Sequence, residues 1–171
     1  LVLRVVDEAQ IGLDAPVVPA LPELAAGVDA RTARITWRHL LTHTAGLPDP
    51  PPLELQAGGA FWLQALGERP LWREPGALWS YSSDGYAVAG AALERVTGET
   101  FERLLAERVL VPLGQGGVTV DSHMALKTGA ACGHLGRGAG AAELSVAADL
   151  EIGAGDARWA LPAGGAIASA Q

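Results

Sequence analysis

A mostly helical chain is what this sequence predicts, and three observations predict it. Apolar residues recur at three- and four-residue intervals in one segment after another. Threonines precede two of those segments, and glycine or proline follows them, where helices start and stop. No strand-like run alternates with a helical one, as a doubly wound sheet would require.

Val2, Val5, Val6 and Ala9 fall at i, i+3, i+4 and i+7 with Asp7 and Glu8 turned outward, an amphipathic helix ending near Gly12. Pro16, Pro19 and Pro22 then enforce extended, irregular chain. Thr36 stands as N-cap of a short helix that presents Trp37, Leu40 and Leu41 on one face and stops at the Ala45-Gly46-Leu47-Pro48 turn. Pro50, Pro51 and Pro52 form a stiff loop before a second short helix around Phe61 to Leu66. Glu74-Pro75-Gly76 reads as a turn, followed by the aromatic and hydroxyl-rich Trp79-Ser80-Tyr81-Ser82-Ser83. A longer helix comes next, with Tyr86, Ala89, Leu93 and Val96 on its buried stripe and Gly98 at its end. Thr100 caps another, which buries Phe101, Leu104, Leu105 and Val109 and breaks at Pro112 and Gly114. From Gly116 onward the chain is rich in Gly and Ala and its periodicity fades, with a short strand expected at Val118 to Val120. The absence of a fixed-period repeat or a linker makes one structural unit the economical reading.

Hydrophobic residues at 49% and charged residues at 18% are a globular composition, not a disordered one. Nineteen acidic against twelve basic side chains give a net charge of −7, a sign that repels phosphate backbones, so nucleic acid is not an expected partner. No basic amphipathic stretch argues for a membrane surface, and no apolar run approaches the length that spans a bilayer. Cys132, the single cysteine, allows no intrachain disulfide, and its Ala131 and Gly133 neighbours offer nothing that activates a thiol. The chain opens inside an apolar helical pattern and closes without a stop signal, so residues 1–171 are expected to be part of a domain cut at both ends.

Several motifs carry residue types that could do chemistry. His39 and His43 have the i, i+4 spacing of a zinc helix, but Leu40 stands where the metalloprotease pattern needs Glu. The plainer reading has both imidazoles packing against and hydrogen-bonding to the neighbouring turn. Gly136-Arg137-Gly138-Ala139-Gly140-Ala141 has the letters of a dinucleotide fingerprint, yet Ala131 to Leu135 does not read as the buried strand that must precede it. Lys127-Thr128-Gly129 spells the lysine triad of β-lactamases and penicillin-binding proteins, without a strand's alternation around it. Gly-x-Ser-x-Gly does not occur, and the single lysine lacks the glycines of a P-loop.

Tyr81 is the strongest candidate. Flanked by Ser80, Ser82 and Ser83 just before a helix, it puts a phenol and several hydroxyls where backbone N–H groups favour negative charge. A nearby ammonium would favour the phenolate and let it take a proton from a serine hydroxyl. The other reading is an aromatic core residue whose hydroxyl meets a backbone group. The local residues alone leave both open.

Longer stretches favour the first. Ile35-Thr36-Trp37-Arg38-His39-Leu40-Leu41-Thr42-His43-Thr44-Ala45-Gly46-Leu47-Pro48 closely resembles the helix-and-turn signature of the serine β-lactamase-related family, which includes class C β-lactamases, D-alanyl-D-alanine carboxypeptidases and related esterases. Glu74-Pro75-Gly76 through Tyr81-Ser82-Ser83-Asp84-Gly85-Tyr86 resembles that family's turn leading into its Tyr-x-Asn motif. The run from Leu93 to Gly114 is similar to the helix pair that follows, and Leu3 to Glu8 to the later part of the helix carrying Ser-x-x-Lys. Pro162-Ala163-Gly164-Gly165 is similar to the family's glycine turn.

The resemblance implies a two-lobed α+β fold of the serine β-lactamase/DD-peptidase type, with this chain mostly its helical lobe. It implies a serine that attacks a carbonyl to form an acyl-enzyme, with a lysine and the motif tyrosine sharing the proton traffic and water releasing the acyl group. Tyr81 takes the tyrosine's place by position, and Ser83 takes the substrate-contacting place of the Asn, with a shorter reach and fewer hydrogen bonds. An ester or peptide substrate is favoured over a β-lactam on that ground. No serine here has lysine three residues on, so the nucleophile is expected upstream and the chain alone is expected to be inactive. The family's cleft-lining triad follows the glycine turn, whereas Lys127-Thr128-Gly129 precedes it, which sets that triplet apart. The expected partner is a small-molecule or peptide acyl substrate, with no metal or organic cofactor. The alternative is a non-catalytic relative that keeps the cleft and binds a ligand.

Overall fold

The computed structural model describes residues 1–48, 59–120, 133–135, 142–144, 162–163 and 167–168. The expected helices form where the spacing placed them. α1 spans Val2–Asp7 and buries Val2 and Val5. α3 spans Trp37–Leu41, α4 Gly59–Gly67, and α5, the longest, Ser83–Thr97. α6 spans Phe101–Leu105 and widens into a π-helical turn over Ala106–Leu110. Of the residues expected to be buried there, Leu104 is fully covered and Phe101, Leu105 and Val109 only partly.

Two elements lie in or near the proline-rich stretch read as irregular. Pro22 opens the short α2, Pro22–Ala25, at a first-turn position where a missing N–H costs nothing. Ala30–Arg34 is a 3₁₀ helix capped by the Asp29 carboxylate, which accepts from the Arg31 N–H. α2 packs against α4, α3 against α5, and α5 against α6, around a core that includes Val17, Leu24, Leu40, Trp62, Val88 and Leu93. Each fully buried Leu or Val contributes roughly 1.5–3 kcal/mol over leaving it in water.

The buried face of α5 is broader than the stripe expected of it. Ala87, Val88, Ala89, Ala92 and Leu93 are all covered, but Val96 is exposed. Small residues make that breadth possible. A Cβ on Gly85 would lie 3.3 Å from the Leu40 carbonyl oxygen, so α5 crosses the end of α3 at backbone distance.

Strand content among the described residues is slight: two antiparallel pairs, β1 Val118–Thr119 with β4 Ile167–Ala168, and β2 Gly133–Leu135 with β3 Ala142–Leu144. β1 lies within the stretch where a strand was expected. β2 places a short strand at Gly133–Leu135, in a stretch whose sequence did not read as a buried strand, and pairing with β3 supplies what alternation did not. β2 and β3 pair antiparallel, whereas a dinucleotide fingerprint lies between parallel strands of a βαβ unit; Gly136 to Ala141 lie outside the described residues. The loop of Pro50 to Pro52, Lys127-Thr128-Gly129 and Cys132 lie outside the described residues. No described helix is long and apolar enough to cross a membrane.

Candidate functional site

The first turn of α3 is fully capped, and this fixes the turn that follows it. Trp37 N–H donates to the Ala15 carbonyl at 3.4 Å, Arg38 N–H to Leu13 at 2.8 Å, and His39 N–H to Thr36 Oγ1 at 3.2 Å. His39 Nδ1 accepts from Thr36 N–H in return, so a histidine fills the place that Glu or Gln takes in a capping box. Arg38 also reaches Asp14 with two guanidinium hydrogen bonds at 2.6 and 2.8 Å.

The turn after α3 is a platform for the loop that carries Tyr81. The carbonyls of His43, Thr44 and Gly46 accept from Ser80, Gly76 and Trp72 N–H at 2.8, 2.8 and 2.9 Å. Gly46 has φ 74°, and a Cβ there would stand 2.5 Å from the Arg73 carbonyl oxygen, so both its dihedral and its neighbour require glycine. The 3₁₀ helix grips the same loop from the other side. Asp29 accepts from Leu71 N–H at 2.8 Å while Arg31 donates to the Leu71 carbonyl at 2.7 Å, and Arg31 and Arg34 both pair with Glu74. Hydrogen bonds from the Arg31 guanidinium hold the Asp29 carboxyl well below the usual carboxylate range; burial opposes the shift and the backbone N–H groups of Arg31 and Leu71 add to it.

Tyr81 thus arrives immediately before Ser82, whose hydroxyl caps α5 by accepting from Gly85 N–H at 3.2 Å. Asp84 in that first turn is buried and accepts from Trp62 Nε1 at 3.0 Å, tying α4 to α5. Tyr81 is 60% exposed, which excludes the reading of it as a core aromatic. Tyr86 fills that plainer role, its hydroxyl donating to the Leu41 carbonyl at 3.1 Å.

Tyr81 and Ser83 line one cleft of about 150 Å³ together with His43, Ser82, Tyr86 and Ala163. The structure therefore brings both expected site residues together, and with them a residue of the glycine-turn segment. The sequence had placed Tyr86 on a buried stripe and His43 beside His39. In the fold the His43 ring lies 4.7 Å from Tyr81, 5.1 Å from Tyr86 and 6.2 Å, edge-on, from Trp79. His43 Nδ1 accepts from Ser82 N–H at 3.3 Å. Each imidazole thus takes a backbone hydrogen bond at Nδ1, and among the described residues no three His, Cys, Asp or Glu side chains gather into a metal-binding group. The signal for His43 was its place in the motif, next to the turn that the aromatic segment must cross.

The beta-lactamase family profile matches residues 1–171. Penicillin-binding protein 4 of Amycolatopsis lactamdurans is 33% identical over 140 residues, covering 80% of this chain and 36% of that protein. Esterase EstB of Burkholderia gladioli is 33% identical over 133 residues, 66% of this chain and 33% of the esterase. Among solved structures, EstCE1, described as a hydrolase with promiscuous acyltransferase activity, superposes with a TM-score of 0.67 at 27% identity over 83% of this chain and 41% of that one. This chain spans about a third of the length of these curated relatives. The shared architecture is the β-lactamase/DD-peptidase fold, of which the described residues form a mostly helical part. Matched along its whole length and sharing that fold, the chain belongs to the beta-lactamase family of serine hydrolases and acyltransferases.

Proposed function

We propose that the protein is a serine acyl hydrolase acting through an acyl-enzyme on an ester or peptide, with Tyr81 exchanging the nucleophile's proton and Ser83 contacting the acyl substrate. The observation that carries this reading is the exposed Tyr81 phenol on a cleft it shares with Ser83. A serine hydroxyl gives up its proton as its oxygen attacks the carbonyl carbon, and a phenolate at this position accepts it. The proton then passes to the leaving group, and water cleaves the acyl-enzyme. The nucleophile belongs to a Ser-x-x-Lys pair outside these residues, because the single lysine, Lys127, has Met124 three residues before it. Residues 1–171 by themselves therefore carry no acyl-hydrolase activity.

Nitrophenyl-ester turnover by the full-length protein and its Tyr81→Phe variant tests the proposal. Loss of the phenol should lower kcat by roughly 100-fold or more with the fold intact. Unchanged turnover removes Tyr81 from the mechanism, and turnover by residues 1–171 alone removes the external nucleophile. Ser83 in the place of the family's Asn favours a second reading, a binding relative without turnover. A full-length sequence in which the upstream extension of the α1 helix lacks the serine of Ser-x-x-Lys would select it.

A further inference from the structure

We infer that His43 is a positioning residue for Tyr81; the inference rests on the proposed role of Tyr81 and names what holds its phenol in place. Ser80 N–H, in the peptide unit that joins Trp79 to Ser80 one residue before Tyr81, donates to the His43 carbonyl at 2.8 Å. Ser82 N–H, in the peptide unit after it, donates to His43 Nδ1 at 3.3 Å. The His43 ring lies 4.7 Å from the phenol ring at a tilt of 37°. One residue thus holds the peptide unit that follows Tyr81 and the Trp79–Ser80 unit that leads to it, and supports the phenol ring between them. A side chain as exposed as Tyr81 has little packing of its own to restrict its rotamers, so orientation supplied from the backbone side matters more here than in a core.

The clamp depends on an uncommon backbone. α3 ends at Leu41, and His43 adopts φ 56°, the left-handed region that side chains rarely enter and that histidine, asparagine and aspartate enter most readily. In that conformation the residue presents its carbonyl to Ser80 and its ring to Ser82. Tyr86 at 5.1 Å, itself tied to Leu41, and the edge of Trp79 at 6.2 Å limit where the imidazole can go.

This anatomy separates the hydrogen bond from the ring. Asparagine tolerates the same φ, and its Oδ1 branches from Cγ where Nδ1 does, so His43→Asn keeps the acceptor and discards the ring. His43→Gly discards both while relieving the backbone, so it is not expected to unfold the protein. Amide hydrogen exchange and steady-state kinetics on the full-length protein read the two effects. In His43→Gly the Ser82 amide should exchange about 10-fold faster or more, the Ser80 amide should change less, and kcat should fall by roughly 100-fold with KM little altered. His43→Asn should restore Ser82 protection and much of kcat. Unaltered Ser82 exchange in His43→Gly overturns the clamp, as does restored protection in His43→Asn without any recovery of kcat. If Tyr81→Phe leaves turnover unchanged, the role of Tyr81 fails, while Ser82 exchange still decides whether His43 holds the loop.

Discussion

Replacing Asp29 by alanine should cost the protein about 3 kcal/mol, and the structure shows where that figure comes from. Asp29 is 8% exposed and accepts from the N–H groups of Leu71 and Arg31 and from the Arg31 guanidinium. Leu71 is buried, so its N–H is left without an acceptor, at about 1–3 kcal/mol. Loss of the cap on the 3₁₀ helix adds about 1 kcal/mol. The Arg31 side chain is 32% exposed, so it regains water and its ion pair contributes no more than about 1 kcal/mol. Asparagine keeps one acceptor oxygen and should lose less than alanine. The folded-state pKa of Asp29 lies below its unfolded value, so the stabilisation is fully present above about pH 5 and drains away as the pH falls toward the folded value. Urea denaturation of wild type and Asp29→Asn at pH 7 and at pH 3 measures this directly. The gap between the two proteins should narrow at the lower pH. A gap that stays constant, or an Asp29→Ala loss below about 0.5 kcal/mol, would refute the assignment of Asp29 as the anchor of the 71–74 segment.

Gly27→Ala should destabilise the protein by about 1–3 kcal/mol, because a Cβ there would sit 1.7 Å from the Gly67 carbonyl oxygen, which already accepts from Val28 N–H. A thermal melt checks it, and an unchanged midpoint would mean that α4 shifts freely against α2. Trp62→Phe removes the indole donor to the buried Asp84 carboxylate and should cost about 1–3 kcal/mol in urea denaturation, whereas Trp72→Phe, at a half-exposed site, should cost far less.

What the sequence made legible was local. Thr36, Ser82 and Thr100 meet the amides of their own helices, and Gly98 ends α5 at φ 71°, so starts and stops could be read within a few residues. The aromatic and hydroxyl-rich segment marked Tyr81 from local residues, whereas Ser83 was marked only by its place in the Tyr-x-Asn resemblance. The 3₁₀ helix escaped because Ala30 to Arg34 carries no apolar period, and Asp29 acts on Leu71, 42 positions away. β2 escaped because a three-residue strand, Gly133-His134-Leu135, shows no alternation of its own and owes its existence to its partner. His39 and His43 illustrate a sharper failure. Their spacing is that of one helix face, but α3 stops at Leu41 and the left-handed φ at His43 breaks the i, i+4 relation before it can operate. The small residues of α5 likewise spread burial over several faces, where a stripe had been expected.

Pro162 rests where a side chain on Gly90 would be: a Cβ on that glycine would stand 2.0 Å from the proline ring. The next residue, Ala163, forms part of the cleft wall beside Tyr81 and Ser83. The recess is therefore finished by chain made well after the helices. The helices through α6 are all made before Ala163 exists, and until it docks on α5 a nascent molecule has the floor of its cleft without that part of the wall. Ligand recognition at this cleft therefore waits on chain that follows α6 by some fifty residues, and Gly90 is the notch that admits that piece.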